Sequence, residues 1–255
     1  MNKPRILFYD IETSPLKAWL WQCGKQYISH KQLVPGFDQW GIICVAYCWN
    51  DDLPAQSIDW GYNKQNTAKV VKQFDKIIRQ ADHVIGKNSD KFDSKMINAS
   101  RMLHGIKGMP EWMLSKDDLE KQMRKYFRLP SQSLDYLSKQ LGLGGKIRME
   151  MQDWVDIVDR TKNGPIAFQK MIDYNKKDVE DTRTLWYKLS EHFDPRFNMS
   201  TFTEVKCCKH EDCGSVNIAK NGTRVLNRTK YQLYRCSDCG RAAGRTIYNS
   251  VGRIT

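Results

Sequence analysis

The stretch Arg5-Ile6-Leu7-Phe8-Tyr9-Asp10-Ile11-Glu12-Thr13 constrains the fold more than any other part of the chain. The apolar run Ile6 to Tyr9 reads as a buried strand, and it runs straight into two carboxylates two residues apart. Residues i and i+2 of a strand share a face, so Asp10 and Glu12 point the same way. Like charges that close repel unless a cation sits between them. The stretch therefore predicts a divalent-metal site at the end of a central strand. Alone, the same pair also describes a solvated strand end, so the rest of the chain must decide.

The segments that follow read as an α/β layered domain. Trp19 to Trp21 and then residues 41–49 have the aromatic and β-branched character of strands. Asn50 to Pro54 reads as a turn, and Ser57 to Trp60 as the third strand of a meander. Residues 22–39 form a long polar excursion near the site. Residues 67–80 put Val70, Val71, Phe74, Ile77 and Ile78 on one helical face, with Thr67 as its cap. A short strand over 83–86 leads through Asn88 to Asp93 into a helix. Residues 111–160 read as helical and basic, broken at Pro130 and stopping again at Gly142. Gly144-Gly145-Lys146 is a basic loop that could touch a phosphate backbone. Pro165 opens the last long helix, where Tyr174 and Asp178 at i, i+4 share a face.

Three local patterns thus occur in order: Asp10-x-Glu12, Asn88-x-x-x-Phe92-Asp93 and Tyr174-x-x-x-Asp178. Together they resemble the DEDD-type 3′–5′ exonucleases, in the variant whose last motif carries tyrosine. The resemblance spans roughly residues 4–190. It extends to Glu12-Thr13-Ser14-Pro15, Trp19-Leu20-Trp21, Ser133 to Leu137 and Leu141 to Lys146, which look like phage and prophage members. It implies a ribonuclease H-like α/β fold, with a mixed central sheet flanked by helices as in the proofreading domains of family B polymerases. It also implies two Mg²⁺ or Mn²⁺ ions, hard cations suited to oxygen ligands. Asp10 would bridge them, Glu12 and Asp178 would complete the site holding the water-activating ion, and Asp93 would support the second. Tyr174 would orient the attacking water, and Thr13, Asn88 and Phe92 would touch the terminal nucleotide. Asp90, one helical turn from Asp93, is the competing ligand; Asp93 is preferred because it follows Phe92.

A second module is written in cysteines. Five of the eight fall between 207 and 239, while Cys23, Cys44 and Cys48 are scattered among apolar residues and read as buried thiols. Cys208-x₄-Cys213-Gly214 and Cys236-x₂-Cys239-Gly240 are two knuckles that predict one structural Zn²⁺ in a ribbon. Cys207 or His210 are alternatives to Cys208. Asn221-Gly222 reads as a hairpin turn between the knuckles. Residues 205–255 hold ten Lys/Arg against three Asp/Glu, so this fifth of the chain carries +7 of the net +12. Such a concentration suits a polyanion. Arg224, Arg228, Lys230, Arg235, Arg241 and Arg245, with Tyr231 and Tyr234, could grip a backbone and stack on bases.

The expected organisation is an exonuclease domain over 1–194, a linker over 195–204 and a basic zinc ribbon over 205–255. The expected partner is nucleic acid, with single-stranded DNA favoured over RNA. Any proofreading role would require a separate replication or repair partner. A structure-specific endonuclease on the same fold, or a binding regulator with a silent nuclease domain, are the competing readings. Hydrophobic content of 40% is too rich for disorder. No apolar run approaches the ~20 residues of a membrane span, and residues 1–5 hold no secretory segment, so a cytoplasmic protein is expected.

Overall fold

In the computed structural model, which describes residues 4–50, 52–144 and 147–248, strand β1 spans Ile6–Thr13 and lies in the middle of a five-stranded sheet. β2 (Ile42–Trp49) and β3 (Asp52–Asp59) complete an antiparallel meander with it. β4 (His83–Gly86) and then β5 (Lys116–Asp118) extend the sheet on the other side, parallel to β1. The order is β3-β2-β1-β4-β5. Among the described residues six α-helices accompany the sheet: α1 (Thr67–Ile78), α2 (Asp93–Leu103), α3 (Leu119–Tyr126), α4 (Leu134–Gln140), α5 (Met151–Asp159) and α6 (Gly164–Leu189). The chain is thus mixed α/β, a mixed central sheet flanked by helices with a cysteine cluster near its C-terminal end.

The period-two alternation of β1 divides the interior. Leu7, Tyr9 and Ile11 enter one core with Val70, Val71 and Phe74 of α1. Ile6 and Phe8 enter a second core with Val179 and Leu185 of α6. Burying a side chain such as Phe8 stabilises the fold by roughly 1.5–3 kcal/mol, and Phe8 has no exposed surface. Asp10 and Glu12 continue the Ile6–Phe8 row, so the face that meets α6 is also the face that carries the carboxylates. Pro165 occupies the first turn of α6, where its missing N–H costs nothing.

Several local expectations change. The turn expected over Asn50 to Pro54 is shorter: Asn50 is in a turn, but β3 starts at Asp52 and contains Pro54, which an edge strand tolerates. Trp19 to Trp21 is not a strand; Ala18 makes a single bridge to Leu33. Asn66, not Thr67, caps α1, and the Thr67 hydroxyl accepts from the Ile42 amide. The region read as helical throughout contains β5, whose three residues are too short for periodicity to reveal. Cys23 is exposed rather than buried, unlike Cys44 and Cys48. Gly145 and Lys146, the basic loop, lie outside the described residues.

β6 (Ile218–Leu226), β7 (Thr229–Cys236) and β8 (Ala242–Ile247) form a separate antiparallel sheet in that order. Asn221-Gly222 is not its hairpin turn but an irregularity inside β6, where the register shifts between Lys220 and Thr223. The turn is Asn227-Arg228, both left-handed at φ 47° and 65°, as a two-residue hairpin of this twist requires. This sheet is not loosely tethered. Cys207 is buried in the second core together with Trp186, Phe193, Phe197 and Met199. The Met199 amide donates to the Lys209 carbonyl at 2.9 Å, Arg241 donates to Ser190 at 3.2 Å, and the Tyr187 hydroxyl bonds Glu211.

Candidate functional site

The strand pairing opens a site at the C-terminal half of β1. β4 pairs only with Ile6, Leu7 and Phe8, so the β4-side edge of β1 is free beyond that point. The start of α2 fills the gap, and the Ile11 amide donates to Asp93 Oδ1 at 3.0 Å. Gly86 allows the approach: a Cβ there would lie 2.5 Å from the Ser89 Cβ and 3.2 Å from the Tyr9 carbonyl oxygen. Asn88 then turns the chain in the left-handed region at φ 60°. The buried Asp118 at the end of β5 accepts from the Asn88 amide at 2.9 Å and the Asp90 amide at 3.2 Å, which holds this turn in place.

On the opposite side α6 supplies Tyr174, Asn175 and Asp178. Asn175 is fully buried, and its Nδ2 donates to Asp10 Oδ2 at 2.7 Å. The Cys44 thiol donates to the Asn175 Oδ1 at 3.5 Å. One carboxylate oxygen of Asp10 is therefore oriented by a helix asparagine that sequence reading passed over. Its position beside Tyr174 on the buried stripe was the available signal. The Tyr174 hydroxyl bonds Asp178.

All eight residues expected at the site come together. Asp10, Glu12, Thr13, Asn88, Phe92, Asp93, Tyr174 and Asp178 line one cavity of about 430 Å³, with Lys87, Ser133, Leu134, Trp154 and Thr182 as further walls. Asp90 does not line it; its carboxylate pairs with Lys116 at 2.6 Å and with Lys121. Lys87 places a cation in the cavity and is tethered to Glu120 at 3.2 Å.

The electrostatics are those of a crowded anionic site. Burial first, then the charges of Asp93, Glu12 and Asp178, push the Asp10 carboxyl well above the ordinary carboxylate range. Burial likewise pushes Asp93 up to about 7, against the pull of the Ile11 amide. Both shifts mean that the carboxylate form is destabilised when no cation is present. Oxygen donors of this number and charge suit Mg²⁺ or Mn²⁺.

The sign of these shifts gives a measurable result. A carboxyl whose folded pKa lies above its unfolded value contributes stability below about pH 4 and loses it as pH rises through the folded value, here about 7 for Asp93. A divalent ion held by these carboxylates would compete with those protons. The rise in Tm on adding Mn²⁺ is therefore expected to grow from pH 5 to pH 8, with protons released on binding. Calorimetry in two buffers of different ionisation enthalpy would read the release, and a pH-independent Tm gain would contradict the assignment.

The cysteines form a second centre. Cys208, Cys213, Cys236 and Cys239 bring their sulfurs within 4.8 Å of one another, the only group of three or more potential ligands so tightly gathered among the described residues. A tetrahedron of 2.3 Å Zn–S bonds has edges of about 3.8 Å. Cys208 and Cys239 are 3.8 Å apart and Cys213 and Cys236 3.6 Å apart, so the four fit a zinc ion. Burial raises Cys239, but hydrogen bonds led by Arg241 bring it down to about 7, favouring the thiolate. Cys207 lies 3.3 Å from the Thr203 hydroxyl, and His210 Nε2 lies 3.1 Å from the Ala242 carbonyl oxygen, so neither belongs to the cluster.

No protein-family profile matches the chain, and no curated protein matches it. Among solved structures it is similar to the family B DNA polymerase from the hyperthermophilic archaeon Pyrobaculum calidifontis, with a TM-score of 0.56 and 15% identity. The likeness covers 74% of this chain and 25% of the polymerase chain, and it is a likeness of fold. No helix among the described residues is long and apolar enough to cross a membrane.

Proposed function

We propose that the chain is a metal-dependent 3′–5′ exonuclease with a ribonuclease H-like catalytic domain over 1–194, a connection over 195–204 and a zinc ribbon over 205–255. One observation carries this reading. Four carboxylates from three separate segments, with a tyrosine bonded to one of them, line a single cavity. Family B polymerase likeness at the level of fold agrees with it.

Phosphodiester hydrolysis needs an oriented water, relief of charge on the phosphorus centre and a stabilised 3′ oxygen. Bound Mg²⁺ or Mn²⁺ ions would supply the Lewis acidity, held by Asp10, Glu12 and Asp178 on one side and by Asp10 with Asp93 on the other. Asn175 fixes one Asp10 oxygen and the Ile11 amide fixes one Asp93 oxygen, so two of these carboxylates are preorganised. Burial, followed by the charges of Asp178 and Glu12, raises the Tyr174 phenol far above its ordinary range. Tyr174 therefore stays protonated at neutral pH and acts by orienting rather than abstracting: its hydroxyl donates to Asp178 and its lone pairs accept from the attacking water. Thr13, Asn88 and Phe92, the last 42% exposed, would receive the terminal nucleotide. In the ribbon, the register puts Arg224 opposite Tyr231, and the Arg245 guanidinium lies 4.8 Å from the Tyr231 ring. That basic and aromatic sheet face would contact a phosphate backbone.

The deciding experiment is a product ladder from end-labelled single-stranded DNA and RNA with Mg²⁺, Mn²⁺ or EDTA, beside 3′-blocked and circular controls. Stepwise shortening from the 3′ end that EDTA stops is expected, with circles left intact. Tyr174→Phe should slow the ladder without abolishing it, by about 10- to 100-fold for a lost orienting contact. Cutting of circles would replace the exonuclease with an endonuclease, and absence of any product would leave the binding regulator.

A further inference from the structure

Beyond Thr13 the chain leaves the acidic cavity and enters a second one. Ser14 and Pro15 line a cavity of about 450 Å³ together with Phe37, Trp40, Trp60 and His104. Thr13 and Ser14, adjacent in the chain, thus line one cavity each. From here residues 17–40 loop out and return to β2, and the excursion is held by a built framework. The Lys17 amide donates to the Phe37 carbonyl at 3.2 Å, Trp19 to Gln32 at 2.8 Å and Val34 to Lys17 at 2.9 Å. The Lys17 ammonium pairs with Asp159 at the end of α5 and lies 4.0 Å from the centre of the Phe37 ring. Ser29 caps a short 3₁₀ turn within it.

This ordered framework buries few of its own aromatic rings. Trp19 is 71% exposed, Trp21 96%, Tyr27 90% and Trp40 53%. Three of the chain's eight tryptophans therefore stand in water on one 24-residue excursion. Isolated exposed apolar residues are ordinary, but a concentration of large rings on a fixed backbone marks a binding surface. The charge identifies the occupant: Lys25 and Lys31 are exposed on the same excursion, and Asp38 is its one acidic residue. Indole faces beside ammonium groups complement unpaired bases and phosphates.

We propose that residues 17–40 are a stacking platform for a single-stranded polynucleotide, receiving the strand that leads into the acidic cavity. Every base has a π-face, so the platform is indifferent to sequence. A duplex keeps its faces stacked internally, so the platform selects single strands over paired ones. The location of the reacting end rests on the exonuclease reading; the stacking surface does not.

The test is binding by the full chain in EDTA, which silences metal-dependent cleavage. A fluorescent dT 12-mer is titrated by anisotropy, with intrinsic tryptophan emission read in parallel. Wild-type protein should bind the single strand with quenching and bind a 12-base-pair duplex at least about tenfold more weakly. Trp19→Ala with Trp21→Ala should weaken the single strand by about tenfold or more, with Tm unchanged because both rings are exposed. Trp19→Phe with Trp21→Phe should recover most of the affinity. Unchanged affinity in the alanine variant, as a protein-docking role would give, overturns the proposal, and so does equal affinity for duplex. Failure of the ladder experiment with stacking intact would reject the nuclease and keep the platform.

Discussion

Asp10→Asn is expected to lose metal-dependent trimming of a 3′ end by at least about a thousandfold, as the several kcal/mol of charge stabilisation supplied through a bridging carboxylate would require. Asparagine is the informative replacement because it separates charge from packing. Its carbonyl can still accept from the Asn175 amide that now donates to Asp10 at 2.7 Å, whereas alanine would leave that buried donor unsatisfied at a cost of about 1–3 kcal/mol. The variant should therefore fold. In the absence of metal it should also be more stable than wild type, by a margin that grows as pH rises, because a carboxylate disfavoured by burial and by Asp93, Glu12 and Asp178 has been removed. Two measurements go together: Tm equal or higher in EDTA, and a flat time course with Mg²⁺ or Mn²⁺. Trimming at the wild-type rate would remove Asp10 from the chemistry. A collapse of Tm would make it a structural residue and void the activity result.

The residues around this site were legible because their chemistry is written locally. Asp10 and Glu12 two apart on a strand, Asp93 after Phe92, and Tyr174 with Asp178 one helical turn apart each obey a short-range spacing, and the structure gathers them in one cavity. The cysteine knuckles were legible for the same reason. What short-range spacing could not give is partnership across the fold. Asn175 orients Asp10 over 165 positions of sequence, and nothing within α6 marks it apart from its burial. Lys87 enters the cavity because Glu120 tethers it from α3. Edge position excused Pro54 inside β3, and only the sheet order shows that β3 is an edge. The hairpin moved from Asn221-Gly222 to Asn227-Arg228 because the pairing of Leu226 with Thr229 sets the turn, overriding the stronger local dipeptide. Cys207 looked like a spare ligand beside Cys208, yet it is a core residue under Trp186 and Phe197.

Removing zinc is expected to unfold the C-terminal sheet and to loosen the end of α6 with it. The small sheet has a core of Cys208, Cys236 and Ala243 with little else packed on it, far short of what three strands need to stand alone. Structural zinc bound by four thiolates contributes on the order of 10–16 kcal/mol, which would exceed every other contribution to that sheet. The consequence reaches further because the first knuckle is docked. Glu211 bonds Tyr187, Lys209 receives the Met199 amide and pairs with Asp194 at 3.3 Å, and Arg241 joins Asp212 to Ser190. Cys236→Ser should drop bound zinc from one per chain to near zero, abolish the protection of β6 and β7 from trypsin at Arg224 and Arg235, and lower the Tm of the remaining domain by several degrees. Cys207→Ser should keep the zinc and lower Tm alone, since that thiol packs in the core. Zinc retained by Cys236→Ser would refute the four-cysteine ligand set, and a sheet equally protected after chelation would show that the fold stands without a metal.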